Sequence, residues 1–175
     1  MKDKILAANA RFSDQVEALL NELSTLDHER LNRKPANGGW SAIQTMHHLI
    51  LVEENSMAYI RKKLSFNPQL EKAGLGSWWR SLLLNVTLRI PIKFKAPKSA
   101  GIELIPETDT LKAVNIRWQK IRNEWQAFFE NMPDELNEKA AYKHPRAGRL
   151  SWLQMLYFFA SHFKRHRGQV RRAVL

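Results

Sequence analysis

Apolar residues recur along this chain at helical spacing almost from end to end. Over residues 4–26, Ile5, Leu6, Phe12, Val16, Leu19, Leu20 and Leu23 mark one stripe at intervals of three and four, the signature of a helix with one buried face. Residues 27–39 form a connector in which Pro35 and the pair Gly38–Gly39 interrupt any helix. A second helix is predicted over 41–64, with Ser41 as N-cap and Gln44 three residues on completing a capping box. A third is predicted over 108–132, where Leu111, Val114, Trp118, Ile121, Trp125 and Phe128 repeat with alternating steps of three and four. A fourth spans 151–172 behind Ser151. Residues 134–141 are expected to be a turn or short helix and 144–150 a connector, and no stretch alternates as a strand would.

The segment 65–107 breaks this rhythm. Pro68, Gly74, Gly76, Pro91, Pro97, Gly101 and Pro106 rule out a continuous helix. A short amphipathic piece, 77–89, survives within it, carrying Trp78, Trp79, Leu82, Leu83, Val86 and Leu88. So long a connection in a compact domain usually carries structure or function of its own. The pattern therefore predicts an all-α fold, a four-helix bundle with an elaborated crossover between helices two and three. At 175 residues, one domain covering 1–175 is expected.

Composition narrows the chemistry. There is no cysteine, so disulfides, zinc ribbons and a cysteine nucleophile are excluded, and thiol chemistry would need an external thiol. Any metal has to be held by histidine or carboxylate. No run approaches the roughly 20 apolar residues of a membrane span. The charged residues Asp3, Arg11, Asp14 and Glu17 leave no room for a signal peptide, and the expected location is the cytoplasm. The net charge is +11, and nine basic residues but no acidic one follow Glu138. Such a tail attracts anionic substrates, nucleic acid or lipid headgroups, although a solvated helix face is the plainer reading.

The residues most suggestive of chemistry are histidines. His162 and His166 stand at i and i+4, on one helix face together with Phe158 and Gln169. Two imidazoles so placed can grip one metal ion from the same side. An HxxxH pair alone is a weak signal, and buried histidines are as readily satisfied by ordinary hydrogen bonds. His48, on a face of the second helix with Leu51, Val52, Asn55 and Tyr59, can supply a third nitrogen. His47 beside it points about 100° away, so one of the two serves a different environment. Glu53 and Glu54 lie off the His48 face. Gln169 and Asn55 can orient groups but take no proton. Arg165 and Arg167 flank the pair and are expected to be solvated unless they hold an anionic substrate. His28 and His144 fall in connectors and are expected at the surface, with His144 able to approach the site.

Three segments resemble the DinB superfamily, the DinB/YfiT-like metalloenzymes. The W-S-A-I-Q-T-M-H-H-L run at 40–49 resembles the family's Trp-Ser helix start with a ligand eight residues beyond the Trp, which selects His48 over His47. The H-P-R-A-G-R-L-S-W-L run at 144–153 resembles the lead-in to its last helix, and H-F-K-R-H-R-G-Q at 162–169 its paired ligands with trailing Gln. The resemblance implies a bundle of up-down-down-up connectivity, His48, His162 and His166 as ligands of a divalent ion, and often a homodimer. It also implies a thiol-dependent S-transferase or a metal-dependent hydrolase, the former using a low-molecular-weight thiol as co-substrate.

Zinc, nickel and iron all suit three imidazoles. The expected partner is a small molecule, anionic or electrophilic. The competing reading is a non-enzymatic basic helical module that binds nucleic acid or anionic membrane, the less favoured partners that +11 leaves open. The Trp78–Trp79 segment has three functional readings beside plain packing: a lid over the metal, a dimer surface, or a membrane-surface helix.

Overall fold

The computed structural model describes residues 1–36, 38–90 and 102–175. It is mostly helical. In chain order the elements are α1 (Lys2–Leu23), α2 (His28–Asn32), α3 (Ala42–Leu64), α4 (Leu75–Arg89), α5 (Leu111–Asn131), β1 (Tyr142–His144), β2 (Gly148–Leu150) and α6 (Trp152–Ala173), with 3-10 turns at Ile102–Leu104 and Asp134–Leu136. Helices α1 and α3 each pack on both α5 and α6, so the four long helices enclose one apolar interior. The expected stripes supply it: Ile5, Val16, Leu19, Ile43, Met46, Ile50, Val114, Trp118 and Trp125 are all fully buried. Phe159 and Phe163 meet them from α6, in edge contacts with Trp125 and Trp118. Truncating one such ring to alanine costs about 3–5 kcal/mol.

Local signals set where the long helices begin. The Ser41 and Ser151 hydroxyls accept from the backbone N–H groups of Gln44 and Gln154, and each glutamine side chain accepts from its serine's N–H in return. Thr110 caps α5 through the Ala113 N–H at 3.1 Å.

A buried polar network ties α1, α3 and α5 together. Glu53 and Arg122, each 2 % exposed, pair at 2.7 Å. The second Glu53 oxygen accepts from Trp118 Nε1 at 2.8 Å. The Arg122 guanidinium also donates to Ser13 Oγ and to the Asn9 carbonyl and side chain, and lies 4.6 Å above the Phe12 ring. Every strong donor here finds an acceptor, the condition under which a buried charge pair is tolerated.

Three expectations need correction. The connector 27–39 contains α2, capped by Asp27, whose carboxylate accepts from the Arg30 N–H at 2.7 Å; Pro35 stops it rather than preventing it. The region read as strandless carries an antiparallel ribbon, with Tyr142 opposite Leu150, Lys143 opposite Arg149 and His144 opposite Gly148. Three-residue strands are too short for alternation to register, and Gly148 at φ 69° accommodates the turn. The crossover's helix is also longer than read, starting at Leu75. The breakers Pro91, Pro97 and Gly101, and Lys93, Lys95 and Lys98, lie outside the described residues.

Candidate metal centre

Two capped helices aim the histidines at one point. His48 projects from α3, His162 and His166 from α6, and one ring nitrogen of each lies within 4.8 Å of the others. His48 Nε2 and His162 Nε2 face each other at 3.3 Å. Two nitrogens about 2.0–2.1 Å from one tetrahedral ion would be about 3.4 Å apart, so this spacing suits a shared cation. His166 Nδ1 is 2.9 Å from Gln169 Oε1, an oxygen that can only accept. Nδ1 therefore carries the proton, and Nε2 presents its lone pair. Phe158 stacks on the His162 ring at 5.4 Å and Trp40 leans on His48 at 5.0 Å, which restrains both rings.

Burial keeps the two α6 rings neutral. It holds His162 well below the ordinary histidine range, aided by repulsion from His166 and His48. It drives His166 down to about 3, again with repulsion from His48. Neutral imidazole is the form that ligates a metal. The donor set, three imidazole nitrogens with one tautomer fixed by a hydrogen bond, thus fits a divalent ion.

The centre lies in an open cleft of about 2180 Å³. From α3, Val52, Asn55 and Tyr59 join His48 on its wall, while Leu51 turns away to pack with Ile105. From α6, Phe158 and Gln169 join the histidine pair. The hairpin adds Tyr142 and His144, and α4 adds Leu83 and Leu88. Among the described residues the lining includes Arg80, Lys143, Arg146, Lys164, Arg165 and Arg172 and no carboxylate. The cleft is therefore a basic one.

The remaining candidates have other partners. His47 takes a hydrogen bond from Arg117 on Nδ1 at 3.1 Å and gives one from Nε2 to Asp109 at 3.0 Å; burial and then Arg117 lower its pKa. Glu54 is held by Arg117, and Glu53 by Arg122. Arg167 joins Arg171 on Glu22, whose carboxyl is drawn down to about 2, chiefly by Arg171. Arg165 is not simply solvated: it donates to the carbonyls of Leu88 and Ile90, gripping the end of α4. His28 is exposed on α2.

His144 departs furthest from its expected surface position. It is 8 % exposed, and its ring sits 4.5 Å from that of Phe158. Its Nδ1 accepts from the backbone N–H groups of Arg146 and Ala147, so Nε2 bears the proton and is a fixed donor on the cleft wall. Burial, with Arg146 adding repulsion, lowers its pKa to about 4. The Y-K-H alternation at 142–144 was the available signal, but it spans only three residues.

Residues 11–170 match the family model described as the DinB superfamily. A protein of Oceanobacillus iheyensis named "Putative metal-dependent hydrolase" is 24% identical over 156 residues, covering 87% of this chain and 76% of the relative. No solved structure matches.

Proposed function

Since this chain belongs to the DinB superfamily, we propose that it is a divalent-metal-dependent enzyme built on a four-helix bundle, with His48, His162 and His166 as the ligands. The observation that carries this reading is the convergence of three imidazole nitrogens within 4.8 Å on the wall of an open cleft. A divalent ion bound there supplies a fixed positive charge that acidifies a water or thiol beside it. Gln169 holds the His166 ring in its ligating tautomer. The His144 Nε2–H is a donor for a substrate oxygen. The arginines and lysines of the cleft draw in an anionic small molecule.

Two reactions suit this arrangement. Hydrolysis is the one named for the Oceanobacillus relative. Transfer of an external low-molecular-weight thiol is favoured by a different observation. Among the described residues the cleft offers no carboxylate to serve as general base, and a thiol, with a free pKa near about 8.5, needs less help to ionise than water does. Zinc, nickel and iron are all compatible with the donor set.

The deciding experiment is elemental analysis of protein purified without a nickel column. About one divalent ion per chain is expected, and its loss in both His162→Ala and His166→Ala. Metal-free wild type with unchanged affinity for zinc after both substitutions would refute the assignment. Assays of the loaded protein on anionic esters, with and without added thiol, then separate hydrolysis from transfer.

A further inference from the structure

Helix α4 turns most of its apolar residues outward. Its inner face is narrow: Ser77 and Ser81 are buried, Leu84 and Leu88 pack against the core, and the Ser77 hydroxyl accepts from Gln154 Nε2 at 3.3 Å. Arg80 Nε anchors it to the Ala147 carbonyl at 2.8 Å, and Arg165 holds its last carbonyls. The opposite face carries Leu75, Trp78, Trp79, Leu82, Leu83 and Val86, which are 83%, 52%, 59%, 40%, 60% and 44% exposed. At 100° per residue these six fall within an arc of about 140°. An amphipathic helix normally spends such a face on the core. This one presents it to the outside, with paired indoles 4.8 Å apart at its centre.

Charge says what covers it. Helix α4 carries Arg80 and Arg89 and no Asp or Glu. The hairpin on which α4 packs exposes Lys143, Arg146 and Arg149. A second copy docked on this face about a two-fold axis would set like charges against like. Duplex nucleic acid would match the charge but has no use for a leucine stripe. An anionic bilayer matches both: Leu and Trp side chains enter the headgroup–acyl boundary, and the basic rim meets the phosphates. The 15-residue helix is too short to span a bilayer, and no helix among the described residues is long and apolar enough to cross one.

We propose that the outward face of α4 is a docking surface for an anionic lipid bilayer, with the helix lying in the membrane plane. This does not depend on the metal assignment. Leu83 belongs to both the exposed face and the cleft lining, so docking sets the rim of the cleft against the bilayer.

The test is co-sedimentation of the full chain with vesicles of phosphatidylcholine, alone or mixed two to one with phosphatidylglycerol. Binding to the mixed vesicles is expected to be at least about tenfold tighter, and to weaken as salt is added. A blue shift of tryptophan emission should accompany it and be largely lost in Trp78→Phe/Trp79→Phe, because three of the four remaining indoles, Trp118, Trp125 and Trp152, are already fully buried and the fourth, Trp40, is half-buried against His48. Trp79→Glu, at an exposed position, should abolish sedimentation with no change in circular dichroism. The proposal fails if wild type ignores both vesicles or binds them equally. It fails too if single-stranded DNA binds more tightly than lipid, or if Trp79→Glu converts a dimer to a monomer without touching vesicle binding.

Discussion

Gln169 shows how much one side chain can decide at the centre. Its Oε1 fixes the proton of His166 on Nδ1. Gln169→Leu removes that acceptor while keeping the bulk, and metal affinity should fall about 10- to 100-fold, read by competition with a chelator. His144 yields a prediction in pH. Its pKa falls from 6.5 to about 4 on folding, so the unfolded chain binds the proton more readily. The neutral ring's contribution to stability is complete above pH 6.5 and lost as pH falls toward 4, a span of about 3 kcal/mol. Urea titrations of chelator-treated protein should show His144→Asn losing less stability than wild type over that window. The sequence told little of this. H-x3-H offered a weak signal for a pair of candidate ligands, but the choice between His47 and His48 rested on family resemblance. The Arg117–His47–Asp109 contacts that occupy His47 join residues far apart in the chain. His144 was read as surface because a turn motif carries no sign of what folds over it.

Among the elements, the long helices were legible because their stripes are regular and, in α3 and α6, their serine caps explicit. Helix α4 was legible as a helix, but not which of its apolar residues pack: Leu84 and Leu88 meet the core while Trp78, Trp79 and Leu83 face out, and periodicity reports an apolar face without saying what that face meets. The ribbon at 142–150 escaped because period two needs more than three residues to show. The Glu53–Arg122 pair was equally invisible, as neither residue interrupts its helix pattern. It joins α3 to α5, with Asn9 drawing in α1. Arg122→Met would leave the Glu53 charge buried without its partner, and a loss of about 3–5 kcal/mol is expected by denaturant melting. The loss should be smaller in Glu53→Gln/Arg122→Met, which removes both charges.

For the whole molecule, the proposed metal binding would be linked to folding. At a free-ion concentration one hundred times Kd, the bound ion should stabilise the fold by about 2.7 kcal/mol, seen as a higher melting temperature that His162→Ala abolishes. The two capping serines give the molecule a ruler. His48 lies seven residues past Ser41, and His162 eleven past Ser151. At 3.6 residues per turn these intervals are close to two and three whole turns. Each cap and its imidazole thus share a side of their helix, and the reach between them is counted in complete revolutions. A single alanine inserted between Ser41 and His48 would swing the ring by about 100° and empty the centre of ions in elemental analysis. The same insertion in the turn at 65–68 should leave the ion content intact. Two short intervals, 41–48 and 151–162, thus place the number of residues, and not only their identity, under geometric control.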